Sequence, residues 1–84
     1  MPTLIRREGF EIRIYTLDHP PAHVHVFKAG AVVKVDLSTC MVTEIYGDIS
    51  DRDVRRAERL VADDRSALRE AWEQLHGQEG PDQS

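Results

Sequence analysis

Apolar and polar residues alternate through the first half of the chain and recur at helical spacing through the second. Thr3-Leu4-Ile5 is a short apolar run closed by Arg6-Arg7-Glu8-Gly9, whose glycine suits a turn. Phe10, Ile12 and Ile14 then alternate with Glu11, Arg13 and Tyr15, the period of two that marks a half-buried strand. Asp18-His19-Pro20-Pro21-Ala22 reads as a loop, because proline has no N–H to give to a sheet ladder. From His23 to Lys28 alternation resumes, with Val24 and Val26 on one face and His23, His25 and Phe27 on the other. Ala29-Gly30 suits a tight hairpin turn, and Ala31 to Leu37 supplies the return strand. Ser38 to Tyr46 fits a short strand, an extended edge or a loop.

Beyond Ser50 the period changes. Ser50 followed by Asp53 resembles a capping box, and Asp51 and Asp53 suit the positive end of a helix dipole. Val54, Ala57, Leu60 and Val61 repeat at helical spacing, as do Leu68, Ala71, Trp72 and Leu75. Asp63-Asp64 separates the two sets, so the pattern fits one helix from about Asp51 to His76 or two that bend at the aspartates. Gly77 is the expected stop. The predicted fold is α+β: a small antiparallel meander of three to four strands, packed against one or two C-terminal helices. Val54, Leu60, Val61, Leu68, Trp72 and Leu75 are expected to face the sheet. One domain should span residues 1–77, with 78–84 a disordered tail.

Composition narrows the class. The 84 residues are 40% hydrophobic and 31% charged, ordinary for a soluble domain. No apolar run approaches the roughly 20 residues that span a bilayer, so no membrane role is expected. The N-terminal residues lack the apolar stretch of a secretory signal, which points to the cytoplasm. A single cysteine, Cys40, allows neither an internal disulfide nor a cysteine-based zinc site. It is expected to be a small buried apolar residue.

Three of the four histidines, His19, His23 and His25, fall within seven residues around Pro20-Pro21. On a strand His23 and His25 share a face, roughly 6.5–7 Å apart along the backbone. Three uses stay open for them. They are polar side chains on the solvent side of a strand; or they hold a divalent metal, zinc being the candidate cofactor; or, needing no cofactor, two of them exchange protons at a phosphodiester. Asp18 could orient a ring or add a ligand, and Lys28 ends the same strand as a candidate binding residue.

Net charge is −4, which argues against a bulk electrostatic grip on nucleic acid. Charge is unevenly spread, however. Arg52, Arg55, Arg56 and Arg59 stand at i, i+3, i+4 and i+7 and so form one helical stripe, either a solvated face or a surface for phosphates or an acidic partner. Phe10 and Trp72 belong in the core, leaving Tyr15, Phe27 and Tyr46 as accessible rings. These are too few for a broad RNA-stacking platform. His76 falls in the last helical turn, where the dipole favours a cation.

The start Met1-Pro2-Thr3, the segment Asp18 to Val26 and the ending through Leu68, Ala71 and Trp72 resemble a family of small bacterial proteins. It is a family of unknown function with an Asp-His-x-Pro-Pro-His-x-His signature. Carried onto this chain, the signature falls on Asp18, His19, Pro21, His23 and His25, with Ala22 in place of its second proline. Some members, the DhiT-like toxins, are described as the toxin half of type II toxin–antitoxin pairs. The resemblance implies a cytoplasmic protein with a protein antitoxin as partner. Taken with the histidine cluster and the arginine stripe, it leads to a toxin-like function with RNA as candidate target: two of His19, His23 and His25 act on the 2′-hydroxyl and leaving oxygen, and Arg52, Arg55, Arg56 or Arg59 holds the phosphate. The alternatives are a non-catalytic module that binds the antitoxin, and a small metal-binding domain. Open sheet edges would also allow a homodimer.

Overall fold

The computed structural model describes residues 3–15 and 19–76, with side chains from residue 5 onward. Asp18, Gly77 and the expected tail lie outside the described residues. Five strands, β1 (Thr3–Arg7), β2 (Phe10–Arg13), β3 (His23–Lys28), β4 (Ala31–Asp36) and β5 (Met41–Tyr46), form one antiparallel sheet in chain order. Two helices follow, α1 (Asp51–Asp63) and α2 (Arg65–His76). The α+β meander is as expected, but it has five strands rather than three or four.

The additional strand comes from the segment whose pattern left it open. The Asp36 carboxylate accepts from the N–H groups of Ser38 (2.6 Å) and Thr39 (3.3 Å), and Cys40 N–H donates to the Asp36 carbonyl (2.7 Å). That turn sends the chain back along β4, pairing Val33 with Ile45 and Lys34 with Glu44. A register shift between Lys34 and Val35 interrupts the alternation, and nearly all of β5 is exposed at the sheet edge. Both effects hide a strand from pattern reading. The two tight hairpins, Glu8-Gly9 and Ala29-Gly30, each place two residues at positive φ, the turn geometry that matches strand twist.

The core lies between one sheet face and the helices. Phe10, Ile12, Val24, Val26, Val33 and Val35 meet Ala57, Leu60, Val61, Leu68 and Trp72. Burying each large apolar side chain stabilises the fold by about 1.5–3 kcal/mol. Leu75 is partly buried against this cluster. Val54, expected to face the sheet, is only half-buried and lies outside the cluster, because it comes before α1 closes on the strands at Ala57. Cys40 is half-buried against the core, at positive φ in the β4–β5 turn.

Helix ends are fixed by local chemistry. Ser50 caps α1, its Oγ accepting from Asp53 N–H at 3.1 Å. The helical run breaks at Asp64, which leaves helical dihedrals at φ −108°, ψ 20°. Arg65 opens α2 and ties it to the β4–β5 turn, its guanidinium donating to the carbonyls of Leu37 and Ser38, both at 2.9 Å. His76 ends α2 between two carbonyls, Nδ1 at 3.0 Å from Trp72 O and Nε2 at 3.1 Å from Tyr15 O. Carbonyls only accept, so a neutral ring can serve one of them and an imidazolium both.

Candidate functional site

The second face of the sheet carries the polar half of every alternation. Cα pairing runs Arg13–His25–Lys34–Glu44 across β2, β3, β4 and β5. Paired Cα atoms on neighbouring strands sit about 4.5–5.5 Å apart. His25 therefore stands between a guanidinium and an ammonium. A parallel row, Glu11–Phe27–Val32–Tyr46, lies beside it.

Arg13 is held firmly. Its guanidinium donates to Glu11 at 2.5 Å and lies 4.1 Å from the centre of the Phe27 ring. A hydrogen bond with Tyr15, and then the Glu11 carboxylate, raise its pKa further, while Arg13 pulls that of Glu11 below the ordinary carboxylate range. Its Nε is buried and has no hydrogen-bond partner among the described residues. At the other end of the row, Tyr46 donates to Glu44 at 2.6 Å. That bond, with Lys34 and then His23 and His25, lowers the Glu44 pKa, and Glu44 raises that of Tyr46.

The imidazoles belong to a chain of ring contacts. Tyr15 meets His25 edge-on at 5.1 Å, and His25 meets His23 at 5.2 Å. His23 lies 5.4 Å from Trp72, which stacks on His76 at 3.8 Å. His23 is only 6% exposed and its Nδ1–H donates to the Pro21 carbonyl at 2.8 Å. His23 therefore does not stand on the solvent side of the strand, one of the three readings left open for it: Trp72 of α2 closes over this end of the sheet. His25 is half-buried and His19 is exposed, beside the cis Pro20–Pro21 bond.

The structure does not bring all the candidate residues together. Among the described residues, no group of three or more His, Cys, Asp and Glu side chains is placed to hold a metal ion. Lys28 lies at the far end of β3 from His23, its Nζ 3.4 Å from the Glu8 carbonyl and 4.5 Å from the Phe10 ring centre. The arginine stripe is on α1, whose Ala57, Leu60 and Val61 pack on the core face of the sheet, opposite His25. Arg56 there pairs with Glu8 at 2.6 Å and with Asp53 at 3.7 Å. Glu8 in turn is held below its usual pKa by the Arg56 hydrogen bond, aided by Arg59 and Lys28.

The cations that flank His25 are Arg13 and Lys34, which sequence reading did not single out. Half of that arrangement was available. A two-residue turn at Ala29-Gly30 fixes the register of β3 on β4, and counting back from it sets Lys34 opposite His25.

A family model described as domain of unknown function DUF4160 covers residues 9–73, most of the chain. The chain belongs to the DUF4160 family. The matched span takes in the Asp18–His25 segment, the Arg13–His25–Lys34–Glu44 row and Trp72. No curated protein and no solved structure matches. Among the described residues, no helix is long and apolar enough to cross a membrane.

Proposed function

We infer that the open sheet face is a phosphodiester site, and that this DUF4160 chain is the toxin-like member of a type II toxin–antitoxin pair that acts on RNA. The observation that carries the reading is the row Arg13–His25–Lys34, an imidazole between two cations on three adjacent strands. The unmatched Nε of Arg13 supports it, since a phosphate oxygen would supply the missing acceptor. In the proposed reaction His25 takes the proton of a 2′-hydroxyl whose oxygen attacks phosphorus. The bond from phosphorus to the 5′-oxygen breaks, and His19 returns a proton to the leaving oxygen. The product is a 2′,3′-cyclic phosphate. Arg13 and Lys34 offset the charge that builds on the phosphoryl oxygens, and His23 holds the His25 ring.

Induced expression of the chain, with growth and RNA integrity followed together, tests this. His25→Ala and His19→Ala should each relieve growth inhibition and RNA loss while the protein stays folded. Full toxicity of both variants would end the assignment.

A second reading has its own support. Met41 (60% exposed) and Tyr46 (55%) are large apolar side chains on the edge strand β5. They favour a non-catalytic module that docks a protein partner, an antitoxin or a second copy, along that edge. Stable co-purification with the neighbouring gene product, without RNA cleavage, would favour it. Zinc held by His19, His23 and His25 is the competing use of the same side chains. Metal content of untagged protein decides it, together with melting curves with and without chelator.

A further inference from the structure

Arg52, Arg55, Arg56 and Arg59 line an open surface concavity of about 630 Å³ on α1. Two features make this face unfavourable in the free chain. Arg52–Arg55, Arg52–Arg56, Arg55–Arg59 and Arg56–Arg59 are all like-charge pairs at i,i+3 or i,i+4, which destabilise a helix. Arg52 also stands in the first turn, where the helix dipole disfavours a cation. Little within the fold relieves them. Asp53 and Glu8 both pair with Arg56, Glu8 attracting Arg59 only from beyond ion-pair distance, and Glu58 is taken by the Val42 N–H at 2.9 Å. Among the described residues no carboxylate lies within ion-pair distance of Arg52, Arg55 or Arg59, and all three are exposed.

We propose that this concavity docks a short acidic segment of a protein partner, presenting carboxylates at helical spacing to the four guanidinium groups. The stripe is about 10 Å long, seven steps of 1.5 Å from Arg52 to Arg59. Acids bound it: Asp48 and Asp51 precede it, and Asp63 and Asp64 follow. An extended nucleic-acid strand would overrun the cations onto those carboxylates, against a net charge of −4. The ring beneath Arg56, Phe10, is 1% exposed and offers no stacking surface to a base. Glutamates at i, i+3, i+4 and i+7 of a partner helix match the array in pitch and length, and each can take a guanidinium bidentately. Neither the imidazoles nor their chemistry enters, so failure here leaves the sheet-face reading standing.

The test uses the full chain and two probes: a helical peptide with glutamates at i, i+3, i+4 and i+7, and an RNA oligonucleotide of matching charge. A sequence-scrambled peptide serves as control. The ordered peptide should bind more tightly than the scrambled one, and binding should weaken as salt rises. Arg52→Ala, Arg55→Ala and Arg59→Ala should each weaken binding about threefold, and the triple variant roughly thirtyfold. A second readout needs no ligand. The triple Arg→Gln variant should melt above wild type, because the repulsion is gone. Three outcomes would overturn the proposal: no peptide binding, binding unchanged in the triple variant, or RNA binding that depends on these arginines while the peptide does not bind.

Discussion

One face of the sheet offers Ile12, Val24, Val26, Val33 and Val35 to the helices, and the other offers Arg13, His25, Phe27, Lys34 and Glu44. The same strands build both, each residue facing opposite to its neighbour. On the covered face the side chains have little choice of partner, and their burial supplies most of the stability. On the open face charges meet across strands, and a buried Arg13 nitrogen is left without an acceptor among the described residues. Apolar burial and charge are thus divided by parity along each strand. Trp72 reaches both, buried in the core and in contact with His23.

The sharpest way to break this comparison is to put the same charge on adjacent residues of β4. Val33→Asp places an unpaired carboxylate where nothing is exposed, and should abolish cooperative folding. Lys34→Asp, one residue on, should leave the melting transition in place. Circular dichroism melts of the two proteins decide it.

Trp72→Ala comes next. It should cost about 3–5 kcal/mol by chemical denaturation. It should also shift the His23 and His25 NMR resonances, since the ring that covers His23 is removed. Ser50→Ala touches neither face and should cost about 1 kcal/mol, the usual worth of an N-cap.

The smallest effect is one of pH. The carboxyls of Glu11 and Glu44, both on the open face, are held below their ordinary pKa, first by hydrogen bonds from Arg13 and Tyr46 and then by nearby cations. A lowered folded pKa gives stability that is present above the unfolded value, near 4.3, and is lost as pH falls through the folded one. Melting temperature should therefore drop on acidification below about pH 4.5. The Glu11→Gln/Glu44→Gln double variant should drop less over that range.

Much of this was legible in the chain. Alternation in β2 to β4 separated the two faces, and the capping serine and the helical apolar repeats marked α1 and α2. The tight hairpin even set Lys34 against His25. What could not be read depends on longer links. Arg13 meets His25 through a connection too long to fix register. His23 loses its solvent because α2 returns to cover it, a contact 49 positions away in the chain between His23 and Trp72. β5 escaped because an edge strand needs little burial and a register shift scrambles its period. The arginine stripe was plain in the sequence; its separation from the histidines followed only from the packing of α1 on the opposite face.

The most direct test is to incubate purified, refolded, untagged chain with RNA and analyse the ends of any fragments, comparing wild type with His25→Ala at equal melting temperature. Fragments ending in 2′,3′-cyclic phosphate, with cleavage falling about 10²- to 10⁴-fold in the variant, are expected of a proton-transfer imidazole. Intact RNA with the wild-type chain, or equal cleavage by the variant, would contradict it.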